Sequence, residues 1–588
     1  MQMEDIEAVR GLQQSINVPE SIASVLVGRG IKTFEDARDF FRPSIERLHD
    51  PYLLHDMDRA VERITLAINR REQIAIYGDY DVDGTTSTAM LTLFLESIGA
   101  CVSFHTPDRF TEGYGLSISG LDRCLNHPDG KPGLIISIDC GITAVDAVAY
   151  ARSHGADVII CDHHEPADVL PEAYAILNPI KPGCGYPNKS LCGCGVGFKL
   201  VQALSGTFGI PEAAAEYLDF VALASSADIV SLKGENRIMT SRGLAILNEN
   251  PRPGLRALID AARIKHGRLG TNQIVFGLAP RINAAGRLGD GGRAVRLMCA
   301  KTDQEALEAA SELELANSDR RKIDEGAFLE ACVMVDAMLD RTADRIIVLH
   351  HPDWHAGVIG IVASRLVERY HLPVILMTTI DGIAKGSARS IPGFDIHSAL
   401  KRCEALLITF GGHKYAAGVS IQTDRVSEFR TSVNIVALEM VSDAMLEPEI
   451  DISALIELND LTPKLFAIVR QFSPFGPDNT RPFFYAHHVE IVGTPRIVGR
   501  GTSHLKFQVR SSLPLKPDPE LVRASPNVRP FTLGGGTIEA IGFGLGDRIN
   551  ELLDESGRSR QNLEMVFALE ENEYMGKINP QLVVRDFK

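Results

Sequence analysis

The sequence predicts an α/β protein of several domains: a parallel-sheet domain first, a long connecting helix, a second α/β domain and a β-barrel last. Three observations predict it. From Gln73 onward, short apolar runs alternate with loops and helix-like stretches, the pattern of a parallel sheet covered on both faces. Residues 303–339 are rich in Glu, Ala and Leu, with no proline and one glycine, which reads as a long helix between two domains. From about Phe483 the chain is strand-like.

Taken in order, residues 1–70 read as a helical extension with a helix near Met57–Asn69. Strands are expected at Ile74–Tyr77, Cys101–His105, Leu134–Ile138, Val158–Ile160 and Tyr174–Leu177. Between the first two, Thr85–Ile98 is helix-like, with Met90, Phe94 and Ile98 on one face. The second α/β block has a strand at Arg345–Leu349, a helix over Val358–Val367 and a strand at Val374–Met377. The last block has strands at Val489–Ile491, Leu505–Val509, Ile538–Gly542 and Leu563–Leu569, with the proline-rich Leu513–Pro530 as a long loop inside it. The expected divisions are 1–70, 71–302, 303–340, 341–450 and 451–588.

The chain has 588 residues, too many for one core. No run is apolar enough to span a bilayer, and the start M-Q-M-E-D-I-E lacks the order of a signal peptide. Ten scattered cysteines suggest reduced thiols and a cytoplasmic location. Cys184, Cys192 and Cys194 form the tightest group, but no fourth ligand follows at zinc-ribbon spacing. The net charge of −16 argues against loose binding of duplex nucleic acid through a broad basic surface. It leaves room for a local basic channel, because acids that hold metal inflate the negative count.

Those acids stand at strand ends. Ile74–Tyr77 runs into Asp79, Asp81 and Asp83, Leu134–Ile138 into Asp139, and Val158–Ile160 into Asp162, His163 and His164. Asp228 follows the apolar segment Phe220–Ala224. Ligands of doubly wound sheets bind beyond the carboxyl ends of the strands. Convergent carboxylates repel one another unless a proton or cation intervenes, and carboxylates with imidazole and no thiolate favour Mn²⁺ or Mg²⁺. Two such ions a few ångströms apart are a general device for in-line cleavage of phosphoesters. Taken singly, D-V-D-G also reads as a helix cap and Asp162-His163-His164 as a surface loop.

The motifs resemble those of the DHH phosphoesterases, in their branch of single-strand-specific 5′→3′ exonucleases. They are Gly78-Asp79-Tyr80-Asp81-Val82-Asp83-Gly84, Ser137-Ile138-Asp139-Cys140-Gly141 and Asp162-His163-His164. Further on come Pro280–Arg287, Trp354–Gly360, Gly386–Phe394 and Gly411-Gly412-His413 with Ala416-Ala417-Gly418. The resemblance covers nearly the whole chain and implies a DHH domain, a DHHA1 domain and a C-terminal OB-fold barrel. It implies that Asp81 and Asp139 hold one divalent ion and Asp83, Asp139, His163 and Asp228 a second, with His164 on the scissile phosphate. Where the superfamily often has a histidine, four residues before Asp81, this chain has Tyr77, so Asp79 or water would complete the first site.

The resemblance also implies substrate contacts. Arg109, Tyr114, Arg281, Asn283, Ser387, Arg389, Gly411, Gly412 and His413 are the candidates, with Arg287 beside them and Trp354 as a stacking or core residue. Arg496, Arg500, His504 and Lys506 are candidates for a single-strand groove on the barrel. The activity implied is removal of mononucleotides from the 5′ end of single-stranded DNA in recombination and repair. The partners implied are single-stranded DNA, a helicase and a single-strand binding protein, with the enzyme a monomer. Two other readings are a phosphodiesterase of very short RNA or cyclic dinucleotides, and a non-catalytic DNA-binding scaffold. The barrel disfavours the first, and the full set of mutually repelling acids disfavours the second.

Overall fold

The first sheet of the computed structural model is built from β1 (Gln73–Gly78), β2 (Cys101–His105), β3 (Leu134–Ile138), β4 (Asp157–Cys161) and β5 (Ala175–Leu177). All five are parallel, in the order β2-β1-β3-β4-β5. β1 and β3 are unbroken apolar runs because central parallel strands are covered on both faces. Ile74, Ile76, Leu134, Ile136 and Ile138 enter one core, with helices Met57–Arg70, Val82–Ser97 and Gly193–Thr207. Ala75, Tyr77, Ile135, Val158 and Ile160 enter the opposite core, under helices Ile118–Leu125 and Val145–Ser153. The structure describes residues 3–109, 111–113, 115–340, 342–499, 503–513, 536–554, 556–574 and 577–588. Tyr114, Arg500 and residues 514–530 of the expected proline-rich loop lie outside them.

The helix expected from Thr85 begins at Val82, because the Asp81 side chain caps it, accepting from the Gly84 N–H at 3.0 Å. The apolar segment before Asp228 belongs to helix Leu218–Ala227, so this acid reaches the site from a helix end.

The connecting helix spans Asp303–Met338 and opens with a capping box between Thr302 and Glu305. Ala310 and Leu313 pack into the first domain, and Ala327, Ala331 and Val335 into the second. One rigid rod thus sets the spacing of the two domains. The second sheet contains β6 (Ile347–His350), β7 (Val374–Ile380), β8 (Ile383–Arg389), β9 (Thr409–Gly412) and β10 (Ala416–Gln422), in the order β6-β7-β8-β10-β9. Only β6 and β7 pair in parallel.

In the last region, the two-residue β11 (Ala454–Leu455) pairs with the start of β12 (Phe484–Val498). β13 (His504–Ser511), β14 (Ile538–Gly542), β15 (Leu563–Tyr574) and β16 (Lys577–Phe587) follow. β12 pairs with β13, β13 with β14, β14 with β16, β16 with β15 and β15 back with β12, which closes the ring. This is the five-stranded OB arrangement. The N-terminal helices Met3–Ile16 and Glu20–Gly28 pack onto it: Val9, Leu12, Ile22 and Leu26 share one core with Leu465, Phe472, Phe484 and Phe567. Arg237 of the first domain donates to the carbonyls of Phe40, Gln471 and Phe472, which ties that unit to the first domain.

Candidate metal centre and phosphate cleft

The strand order reverses between β1 and β3, and a crevice opens there at the carboxyl ends. Asp79, Asp81 and Asp83 follow β1, Asp139 follows β3, and His163 and His164 follow β4. Their ligand atoms converge in three overlapping groups, each within 4.8 Å: Asp79, Asp81 and Asp139; Asp83, His163 and Asp228; Asp139, His163 and His164. His163 Nε2 stands 3.2 Å from Asp139 Oδ1, 3.7 Å from Asp228 Oδ2 and 3.8 Å from Asp83 Oδ2. Asp139 belongs to two groups and has a left-handed backbone, φ 61°, a conformation that non-glycine residues keep mainly where the surroundings enforce it.

Burial and neighbouring carboxylates push the acids of Asp79, Asp81 and Asp139 above their ordinary range, and Asp228 to about 8. One oxygen of Asp79 and one of Asp139 are buried with no hydrogen-bond partner. Buried orphan acceptors are costly, and a divalent cation satisfies them while cancelling the repulsion. The donor set, carboxylates with one or two imidazoles, fits a pair of hard divalent ions. Asp79 completes the group of Asp81 and Asp139, whereas Tyr77 takes no part: its hydroxyl donates to Gly115 O at 3.1 Å on the other side of the sheet.

Asp162 organises the histidines and lies outside the three groups. Its carboxylate accepts from the backbone N–H of His163, His164 and Ile142, at 2.8, 3.1 and 2.9 Å. It also pairs with His164 Nδ1 at 2.7 Å. Burial works against a charged His164, but Asp162 outweighs it and raises the imidazolium to about 9. Burial dominates at His163 and keeps it neutral, the form in which imidazole binds a metal.

One supporting element was not legible as such. The Asp83 carboxylate accepts from the Gly193 and Cys194 N–H groups at 2.6 and 2.7 Å, at the N-terminus of helix Gly193–Thr207. Helix N-termini favour anions. The cysteines of this segment turn into the core instead: Cys192 Sγ lies 3.4 Å from Ser225 Oγ and Cys194 Sγ 3.9 Å from Met90 Sδ. A Cβ on Gly193 would stand 2.7 Å from both Cβ and Oδ1 of Asp139. Gly193→Ala is therefore expected to weaken Mn²⁺ binding by about 10–100-fold, the usual cost of disturbing a ligand's support, as read by calorimetric titration.

Across the crevice, a cavity of about 550 Å³ lies between the two α/β domains, lined by Arg109, Arg287, Ser387, Arg389, Gly411 and Gly412. Arg389 donates to Ser387 Oγ at 2.9 Å, so the two side chains share one face of β8 as an extended strand requires. Arg287 reaches the Gly357 carbonyl across the domain boundary at 3.2 Å. Burial lowers Arg287 to about 10, with Arg109 as the next cause; Arg389 is lowered by the same two causes. Three mutually repelling guanidiniums with a hydroxyl and open glycine backbone suit a multiply charged anion.

Other candidates lie elsewhere. Arg281 is buried, ion-paired with Glu314 of the connecting helix at 2.5 Å and donating to Gly277 O, so it ties its own helix to the connecting helix and does not line the cavity. Asn283 is half-buried on the same helix and is not among the lining residues. His413 is exposed just past the glycines, its N–H turned to Ala416 O. Trp354 is a core residue, with Nε1 donating to Glu330 at 3.0 Å. On the barrel, Lys506 pairs with Glu539, Arg496 is exposed, and the His504 ring meets Phe543, which is 57% exposed.

Residues 73–225 match the DHH family, N-terminal domain, residues 343–437 the DHHA1 domain and residues 452–516 the RecJ OB domain. The single-stranded-DNA-specific exonuclease RecJ of Bacillus subtilis (strain 168) is 35% identical over 100% of this chain and 70% of its own length. The chain belongs to the RecJ family. RecJ of Escherichia coli (strain K12) is 35% identical over 84% of this chain and 87% of its own. A crystal structure of RecJ in complex with Mn²⁺ from Thermus thermophilus superposes with a TM-score of 0.79, at 27% identity, covering 99% of this chain and 78% of that one. A structure of exonuclease RecJ bound to manganese has a TM-score of 0.57 and 33% identity, over 67% of this chain and 97% of that one.

Proposed function

We propose that this RecJ-family chain is a metal-dependent exonuclease that removes mononucleotides from the 5′ end of single-stranded DNA. The observation that carries this is the placement of overlapping carboxylate–imidazole groups directly across the interdomain crevice from a cationic cavity. One part can cut a phosphodiester while the other holds a terminal phosphate. Mn²⁺ or Mg²⁺ would be held by Asp79, Asp81 and Asp139 and by Asp83, Asp139, His163 and Asp228. Bound there, the ions supply an activated water and stabilise the attacking and leaving oxygens.

The remaining work falls to the protein. His164, cationic and fixed through Nδ1 by Asp162, donates from Nε2 to a non-bridging oxygen of the scissile phosphate. Arg109, Arg287, Ser387 and Arg389 hold the 5′-terminal phosphate, and the Gly411–Gly412 backbone lets it approach closely. The connecting helix fixes the distance between cavity and acids, and so the length of product. The barrel and the exposed Phe543 beside His504 give the trailing strand a surface for stacking. A helicase that delivers single strands, a single-strand binding protein, a monomeric state and a cytoplasmic location complete the proposal; among the described residues no helix can cross a membrane.

The test is release of labelled mononucleotides from 5′-phosphorylated single-stranded and duplex DNA. With Mn²⁺ the single strand should be degraded and the blunt duplex spared. EDTA should stop the reaction and added Mn²⁺ restore it. Turnover that survives EDTA, or equal degradation of duplex, would falsify the proposal.

A further inference from the structure

Two buried side chains near the site are not used above: Tyr77 at the end of β1, and Glu112 in the segment after β2. The Glu112 carboxylate is 1% exposed and joins two elements. Oε2 lies 2.8 Å from His105 Nε2 at the end of β2, and Oε1 lies 3.0 Å from Arg123 Nη1 on helix Ile118–Leu125. The turn that carries Arg109 is closed on the same residue. The Glu112 N–H donates to Asp108 O at 2.8 Å, and the Asp108 N–H points back to Glu112 Oε1 at 3.4 Å.

Tyr77 braces this arrangement from below. Its ring lies 5.2 Å from that of His105, and its hydroxyl donates to Gly115 O. Helix Ile118–Leu125 comes down onto both through Gly120, where a Cβ would collide with the Tyr77 hydroxyl and stand 2.7 Å from Glu112 Oε2. Sequestering a carboxylate among partners is costly unless the geometry is well satisfied, and here two cationic or imidazole partners and a backbone N–H satisfy it. The product of this construction on the outside is one residue. Arg109 is exposed, its guanidinium lies over the Tyr80 ring at 5.6 Å, and it is the cation brought to the cavity by the β2 side of the first domain.

We infer that Glu112, braced by Tyr77 and His105, is a positioning residue that sets Arg109 for the 5′-terminal phosphate and thereby determines the preference for 5′-phosphorylated strands. This rests on the reading of the cavity proposed above. Tyr77 belongs to the support of end recognition.

The experiment compares kcat/KM on matched 5′-phosphorylated and 5′-hydroxyl oligonucleotides, with Mn²⁺, for wild type, Glu112→Gln, Arg123→Met and Arg389→Ala. Glutamine keeps the volume of Glu112 but removes its charge and turns one acceptor into a donor. Glu112→Gln should cut the phosphate preference about tenfold, through KM, with kcat on 5′-hydroxyl strands unchanged. Arg123→Met, at a side chain 58% exposed, should produce a smaller loss in the same ratio and serves where Glu112→Gln fails to fold. If Arg389→Ala collapses the preference and neither support variant moves it, the role of Glu112 is wrong and the cavity stands. Equal loss on both substrates would make Glu112 a general prop of the domain and overturn the inference. If no variant changes the ratio, the cavity reading fails and takes this inference with it.

Discussion

Asp139→Asn should lower kcat at saturating Mn²⁺ by at least about a thousandfold, since bridged ions supply several kcal/mol of transition-state stabilisation. Asparagine is the right replacement. It tolerates the left-handed backbone at φ 61°, keeps the side-chain shape beside Gly193, removes the charge and turns one acceptor oxygen into an amide donor. Asp139 contributes to both the Asp79–Asp81 group and a His163 group, so one substitution affects both ions. The metal-free fold should not suffer, because the lost charge is one that burial and its acidic neighbours already oppose. Thermal unfolding should therefore show an unchanged or higher midpoint without metal. The rise on adding Mn²⁺ should be largely lost, since a ligand stabilises only as far as it binds. Near-normal turnover, or an intact Mn²⁺-induced rise, would remove Asp139 from the bridging role.

Arg389→Ala should reduce kcat/KM on 5′-phosphorylated strands by about tenfold to over a hundredfold, the equivalent of about 1.5–3 kcal/mol for a charge-assisted contact. Strands with a 5′-hydroxyl should be much less affected. Arg389 and Ser387 lie on a central strand of the second sheet, so the guanidinium is held on a rigid element. Removing it relieves repulsion with Arg109, which, after burial, lowers Arg389 in the intact protein, so folding stability should hold. A loss of equal size on both substrates would move Arg389 to the scissile phosphate or to the architecture, and the terminal phosphate would need another pocket.

The contrast between Arg281 and Arg287 shows where sequence reasoning stops. Both occur in one motif, and both are arginines near the right place in the chain. They lie on one helix, Ala279–Arg287, six positions apart, which separates their side chains by about 120° around the helix axis. Arg287 enters the cavity, and Arg281 pairs with Glu314. Motif membership gives proximity along the chain, whereas the face a helix turns to the cleft is set by everything packed on its other sides.

The strands of the first sheet were readable from local signals, because central parallel strands need continuous apolar runs and ligand-binding acids must follow them at once. Asp79, Asp81, Asp83, Asp139 and the two histidines were legible for that reason, as was the connecting helix with its unbroken helical composition and its Thr302 cap. The sequence alone placed these acids and histidines at the strand ends, where the fold brings them together, and it placed the rod between the domains. Only the tertiary structure decided that Asp228 comes from a helix end, that peptide N–H groups of Gly193 and Cys194 hold Asp83, and that Tyr77 faces away from the acids. Only it decided that the first helices of the chain share a core with the last strands. The physical reason is the same in each case. Strand and helix periodicity are written in neighbouring residues, whereas these contacts join residues tens to hundreds of positions apart, and their choice depends on which surfaces remain to be buried once every local element has formed.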